Sequence, residues 1–448
     1  MKKALILGAA AMAAIAVAPT SADAAEVKWG GYYRAQGVSG DMNVGENSQF
    51  NGGAPGGPSY AFYRHRLALT MSMIASEKTA AHMHFRPVDN LALEGAALGD
   101  NTAAQSTEVG DSGTGSGAWE IKRIWLETEA AGIGIKAGEM PLNLHKNIMY
   151  NDDGGSVGAL ILSKTFGGVT VLAGDVKLTE GTTTDHNQDA DLYLASVLGK
   201  AGSISYNASL LYLDGQENNA QLTPTIVSSS TGDGGTVTTD TDNYWLAVTI
   251  GAKLGGIDLD VTRAFDAGYD NSELEDSGFL LATHLKGSTG FGGWNAYGWY
   301  SDENYSSPNI KPNWSQMHNS NSPDDGLMRT ALTYDASGIA MSGLENTIGV
   351  GGQLTIKAGN FTIKPGIEYL AVNETQLTAP NAAAATKSDV DDMWGGWMAV
   401  STSIDTGTTL SLTGAYVDVN ANDVKANLSG GVDFDAIHSL TAEIKIVF

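Results

Sequence analysis

The end of the chain alternates between two unlike sets of side chains. One set is mostly apolar and includes the terminal aromatic, and the other carries charge: His438, Leu440, Ala442, Ile444, Ile446 and Phe448 against Ser439, Thr441, Glu443, Lys445 and Val447. A period of two residues is typical of a strand with two different faces. A strand that is apolar on one side and charged on the other can separate lipid from water, as the strands of a membrane-spanning β-barrel must.

Similar alternating segments of about ten residues recur along the whole chain. Short glycine-rich turns and long polar loops join them in turn, which is typical of the periplasmic and extracellular ends of these barrels. The pattern predicts an all-β fold, a closed antiparallel transmembrane barrel of eighteen strands. Sixteen strands is the alternative, because weak segments could merge. We assign the further candidate 327–334 to an extracellular loop, since single-chain bacterial barrels have even strand numbers.

The start of the chain has the features of a secretory signal peptide. Lys2 and Lys3 precede the apolar run 4–18, and the small-residue sequence Ala22-Asp23-Ala24 follows. We therefore expect residues 1–24 to be removed and residues 25–448 to form the barrel. The absence of cysteine is compatible with export to an oxidising compartment.

The terminal strand ending on Phe448 resembles that of Gram-negative outer-membrane porins, which are barrels of sixteen to eighteen strands. Residues 119–153 are also similar to the porin stretch in which two strands precede a loop that folds into the barrel. The resemblance implies an outer-membrane location, a homotrimer and an assembly signal at Phe448. It also makes 140–156 an inward-folded constriction loop, with Asp152 and Asp153 as acidic residues of the pore.

Basic side chains cluster in the first five predicted strands, on the face opposite the apolar set. They are Arg34, Arg64, Arg66, His82, His84, Arg86, Arg123 and Lys136. The interior of a barrel of this size is filled with water. We therefore expect these residues to line the constriction and to influence selectivity together with the acidic loop.

Several tryptophans lie near the ends of predicted strands: Trp29, Trp119, Trp245, Trp294, Trp299, Trp394 and Trp397. Because indole rings favour the headgroup level of a membrane, we expect these residues to form the interfacial girdles. Stacking against sugars inside the pore is the alternative interpretation.

The chain is strongly acidic. Without residues 1–24 it has 23 basic and 49 acidic residues, a balance of −26. This charge disfavours nucleic-acid binding, which requires basic patches. The acidic residues concentrate in the long loops, where they could attract cations to the pore mouth or bridge divalent cations to lipopolysaccharide.

These observations favour a porin that allows passive diffusion of small hydrophilic solutes and ions, without enzymatic activity, cofactor or metal. His82 and His84 share one strand face, but no carboxylate ligand accompanies them. Two alternatives remain: a barrel that sheathes a partner such as a multihaem cytochrome, and, less favoured, an outer-membrane enzyme.

Overall fold

The computed structural model describes residues 26–44, 59–87, 119–146, 148–151, 157–179, 190–215, 243–267, 277–302, 305, 347–372, 376–377, 386–387, 390–421 and 434–448. Its strands are β1 (Glu26–Val44), β2 (Ser59–Ser76), β3 (Thr79–Pro87), β4 (Trp119–Ala130), β5 (Ile133–Met140), β6 (Asn143–Leu144), β7 (Tyr150–Asn151), β8 (Val157–Phe166), β9 (Val169–Thr179), β10 (Ala190–Ala201), β11 (Ile204–Gly215), β12 (Asn243–Leu254), β13 (Ile257–Asp266), β14 (Gly278–Thr289), β15 (Gly292–Ser301), β16 (Thr347–Ala358), β17 (Phe361–Val372), β18 (Gln376–Leu377), β19 (Thr386–Lys387), β20 (Val390–Asp405), β21 (Thr408–Ala421) and β22 (Phe434–Val447). Within the described ranges, no helix has the length and hydropathy needed to cross a bilayer.

Eighteen of these strands form one closed antiparallel barrel. The first and last strands close it, with Arg34 opposite Lys445 and Gln36 opposite Glu443. Two backbone hydrogen bonds between Gly31 and Phe448, of 2.9 and 3.1 Å, complete this seam. The prediction of a closed eighteen-strand barrel is confirmed, and the sixteen-strand alternative is wrong for the described residues. The short pairs β6–β7 and β18–β19 lie outside the barrel sheet, and the candidate strand 327–334 lies outside the described residues.

Tight turns join consecutive strands at one end of the barrel, as the glycine pattern predicts. In the turn between β4 and β5, Ala131 and Gly132 have φ values of 52° and 72°. Two successive residues of positive φ match the right-handed twist of the flanking strands, which is why such turns favour glycine. At the opposite end, the connections of the barrel strands run through residues outside the described ranges.

The two faces of the barrel differ as the alternation predicts. In β12, Tyr244, Leu246 and Ile250 are exposed on the outer surface, whereas Ala247 and Thr249 face inward and are buried. The other barrel strands supply a similar set of exposed apolar side chains. This outer surface is suited to lipid.

The inner face is less polar than the sequence suggests. Three tryptophans expected in the girdles, Trp245, Trp299 and Trp397, point inward and are only 1%, 3% and 8% exposed. The ring of Trp299 lies over Gly349, and that of Trp397 over Gly366, so glycine on a neighbouring strand provides the space for each of these two rings. The girdle prediction is therefore wrong for these three residues. Trp29 and Trp394 are exposed on the outside, Trp294 is half-buried, and the side chain of Trp119 lies outside the described set.

Candidate functional site

A segment between β5 and β8 packs against the inner wall of the barrel. We call residues 141–146 and 148–149 the lumenal loop. Its side chains Leu144, Ile148 and Met149 are buried in a cluster with the inward-facing Leu211. The hydroxyl of Tyr305 donates a hydrogen bond to the sulfur of Met149 at 3.4 Å. Apolar packing therefore holds this part of the chain inside the barrel.

His145 is the central polar contact of the lumenal loop. Its Nδ1 lies 2.8 Å from the hydroxyl of Thr249, and its Nε2 lies 2.8 Å from the hydroxyl of Ser209. The same two hydroxyls contact Thr262 at 2.7 Å and Ser196 at 2.6 Å. These four hydroxyls form a ladder across β10 to β13, which we call the hydroxyl ladder. Burial lowers the pKa of His145 from 6.5 to about 4, so the imidazole is neutral at physiological pH.

Lys146 makes a second polar contact with the same wall, an ion pair with Asp260 of β13. His145 and Lys146 have φ values of 51° and 57°. The left-handed conformation costs an ordinary residue roughly 1–2 kcal/mol. Such conformations persist where surrounding contacts determine them, and here both strained residues contact the barrel wall through their side chains.

The polar contacts of the lumenal loop lie on one side of the inner wall, at β11, β12 and β13. Along the ring of eighteen strands, β12 lies nine places from β1, and β13 lies nine places from β2. The wall that the loop contacts therefore lies across the barrel from the strands in which the sequence predicts basic residues. An open path along the barrel axis would run between the loop and those basic strands.

The basic strands contain acidic partners close to their cations. The Arg34 Nε lies 3.8 Å from a carboxylate oxygen of Glu443, and the Gln36 amide donates to the same oxygen at 2.7 Å. Register also places Lys445 opposite Arg34 on one side and Arg66 opposite Arg34 on the other. Three basic residues thus occupy one rung across β22, β1 and β2, with Glu443 beside them.

A second group lies closer to the end that carries the short turns. The His82 ring stacks on Trp125 with centroids 4.8 Å apart, and its Nδ1 lies 3.0 Å from the hydroxyl of Ser72. The Trp125 indole and the Lys136 ammonium both donate to Glu127, at 3.0 and 2.7 Å. Here the structure brings the predicted cation Lys136 together with the carboxylate of Glu127, so the positive charge of the wall is partly compensated.

The remaining predicted site residues are placed by backbone register or fall outside the description. His84 lies opposite Arg123, in the same sector as His82. Arg64 pairs with Gln36 and Arg86 with Glu120. The side chains of Arg64, Arg66 and Arg86 are outside the described set, and Asp152 and Asp153 lie outside the described residues. Their role in a constriction stays a prediction.

We call the inward-facing charged residues of β22 and β1–β5 the basic sector, and the wall of β10–β13 under the lumenal loop the covered sector. Sequence reasoning missed Glu443 and Glu127 as partners, although alternation in the terminal strand already places Glu443 on the charged face. It also missed His145 and Lys146. No motif marks these two, because their contacts depend on strands far away in the sequence.

Phe448 lies at the seam of the barrel. Its side chain is exposed on the outer surface, and its backbone pairs with Gly31 of β1. This position is compatible with the predicted assembly signal, which stays a prediction.

Solved structures share this architecture. A BenF-like porin from Pseudomonas fluorescens Pf-5 aligns with a TM-score of 0.55 at 11% identity, over 94% of this chain and 99% of that chain. OccK2 (OpdF) of Pseudomonas aeruginosa, in complex with glucuronate, aligns with a TM-score of 0.54 at 10% identity, over 94% and 98%. The outer-membrane protein opdK of the same species aligns with a TM-score of 0.52 at 10% identity, over 94% and 99%.

No family model matches the sequence, and no curated protein matches it. At these identities the structural likeness shows the fold. The chain therefore has the eighteen-strand barrel fold of outer-membrane porins, as the sequence resemblance predicts.

Proposed function

We propose that this chain is an outer-membrane porin through which small hydrophilic solutes and ions diffuse passively. The observation that carries the proposal is a closed eighteen-strand barrel with an apolar outer surface and a charged inner sector. A barrel of this size encloses an aqueous lumen. The short turns then face the periplasm, and the long loops face the outside of a Gram-negative cell.

The basic sector is the proposed selectivity element. Arg34, Arg66 and Lys445 share one rung of the wall, and the lumenal loop narrows the barrel from the opposite side. Charges that line a narrow passage act on ions at short range, whereas charges at the mouth are screened beyond a Debye length of about 8 Å. Glu443 and Glu127 reduce the positive field, so the pore discriminates moderately between anions and cations. The proposed eyelet acids Asp152 and Asp153 would add a transverse field.

Two alternatives receive less support. A sheath for a multihaem cytochrome needs a wide empty lumen, but the lumenal loop occupies part of it. An outer-membrane enzyme receives no specific support, because the pair of Lys136 with Glu127 and the hydroxyl pairs of β10–β13 are contacts within the wall.

The remaining parts of the proposal concern assembly. The chain would lie in outer-membrane lipid beside lipopolysaccharide, as a homotrimer, after removal of residues 1–24. Phe448 would contribute to recognition by the assembly machinery. For Phe448→Asp, which places a charge on the lipid-facing edge, we expect a reduced amount of barrel in the outer membrane. Wild-type amounts of the variant would exclude this role.

The test of the central proposal is single-channel recording of the purified chain in planar bilayers, with a salt gradient to measure reversal potential. Wild type should give discrete openings. Arg64→Ala/Arg66→Ala should shift the reversal potential towards cation selectivity and change the conductance. Lys78→Ala is the matched control, because Lys78 is an exposed cation beside a tight turn, paired with Glu129. A wild-type chain that inserts but does not conduct would overturn the proposal.

A further inference from the structure

The geometry points to a latch: His145 and Lys146 fix the position of the lumenal loop by joining it to β11, β12 and β13, and so determine the width of the passage. This inference rests on the proposed channel function and identifies the residues that control its aperture. The latch consists of the two loop residues and their wall partners Ser209, Thr249 and Asp260.

His145 joins the loop to the wall through hydrogen bonds on both sides of its ring. Both ring nitrogens have hydroxyl partners at 2.8 Å, and these hydroxyls belong to adjacent strands. A neutral imidazole has one donor and one acceptor nitrogen, so one hydroxyl donates to it and the other accepts from it. The ring therefore bridges β11 and β12. It also joins the two pairs of the hydroxyl ladder, Ser196 with Ser209 and Thr249 with Thr262.

His145 and Lys146 both have left-handed backbone conformations, which residues other than glycine avoid unless other contacts compensate. The compensating contacts are the ones to the wall: the two hydrogen bonds of His145 and the ion pair of Lys146 with Asp260. If these contacts are lost, nothing compensates for the strained backbone of His145 and Lys146. A single substitution that removes one of them should therefore release the loop more readily than the loss of one apolar contact would.

The latch attaches the loop to the strands that face β22, β1 and β2 across the ring. Any movement of the loop away from β12 therefore moves it towards the basic sector. A latched loop stays beside β11, β12 and β13, and a released loop moves into the lumen towards β22, β1 and β2.

The experiment compares single-channel records of wild type with His145→Ala and with the wall variant Ser209→Ala/Thr249→Val, which removes the same hydrogen bonds from the other side. Each lost hydrogen bond should raise the ratio of released to latched loop by roughly tenfold. We expect openings interrupted by frequent brief closures in both variants, and no further increase when the substitutions are combined. Thr165→Val is the matched control, because Thr165 forms a similar hydroxyl pair with Thr170 far from the loop.

Folding is checked separately by the heat-dependent gel mobility of each purified barrel. If His145→Ala does not fold, the wall variant Ser209→Ala/Thr249→Val tests the latch in its place. A non-conducting wild type would remove the channel proposal itself. A conducting wild type with variants that show the same noise and conductance would overturn the latch alone. Additive effects of the loop and wall substitutions would also contradict it, because they would mean that the two sides act independently.

Discussion

The two halves of the inner wall use polar groups differently. In the basic sector, Lys136 contacts the carboxylate of Glu127 and is 52% exposed, whereas Arg34 beside Glu443 is only 14% exposed. In the covered sector, buried hydroxyls contact each other and His145, and the carboxylate of Asp260 pairs with Lys146. Near the short turns the basic sector is therefore suited to meet water and solutes, whereas the covered sector is suited to hold the lumenal loop. An inward-facing position in a strand is therefore not sufficient to make a residue part of the passage.

Insertion of a charge should separate the two sectors most clearly. Leu211 is fully buried in the covered sector, and Leu211→Asp would leave an unpaired carboxylate there, at a cost of about 3–5 kcal/mol. Ser72→Asp, in the basic sector, would place its carboxylate next to His82 and should change stability by about 1 kcal/mol or less. The measurement is the temperature at which each barrel loses its folded gel mobility. Equal losses in both variants would show that the sectors do not differ.

Acid should weaken the covered sector. The pKa of His145 is about 4 in the latched loop and ordinarily 6.5, so the latch has its full stability above about pH 6.5. The stability falls as the pH drops from 6.5 towards 4 and stays constant below, with a total loss of about 3 kcal/mol. Brief closures should therefore increase over this range. In His145→Gln, whose amide does not titrate, the frequency of brief closures should not depend on pH over this range. If the variant instead shows the same increase as wild type, groups other than His145 cause it.

Neutralising an acid of the basic sector should have the smallest effect on stability and a clear effect on selectivity. Glu443→Gln removes the charge near Arg34 while keeping the shape of the side chain. One unit charge changes the energy of an ion 4 Å away by about 1 kcal/mol in water, so the anion-to-cation permeability ratio should rise several-fold. Glu129→Gln, at the exposed pair with Lys78, is the control. A reversal potential equal to wild type would place Glu443 outside the conduction path.

Most of the fold follows from the sequence because alternation is a local signal. The terminal strand shows it plainly, with Glu443 inward and Leu440 outward as predicted. Glycine-containing turns mark where most of the strand pairs end at the tight-turn side of the barrel. The lumen was harder to predict, since composition does not distinguish a water-lined wall from one covered by a loop. Trp245 illustrates this, because its position near a strand end is typical of a girdle residue. It faces inward because it lies on the same face of β12 as Ala247 and Thr249.

The candidate site could be predicted only in part. The basic residues of β1, β3, β4 and β5 share a sector because neighbours in the sequence are neighbours in the barrel. His145 contacts Ser209 and Thr249, which follow it by 64 and 104 residues, so no local pattern could reveal the latch. Such contacts depend on how the ring of strands closes.

The most direct test of the account is accessibility of engineered cysteines, which the absence of native cysteine makes unambiguous. Ser72→Cys lies in the basic sector, and Ser196→Cys lies in the covered sector, where Ser196 is 3% exposed. A charged, water-soluble methanethiosulfonate is added while single channels are recorded. The account predicts rapid modification and reduced conductance for Ser72→Cys, with Ser196→Cys and wild type unchanged. Modification of Ser196→Cys at an equal or faster rate would contradict it, because the solute path would then run along the wall that the loop is held to cover.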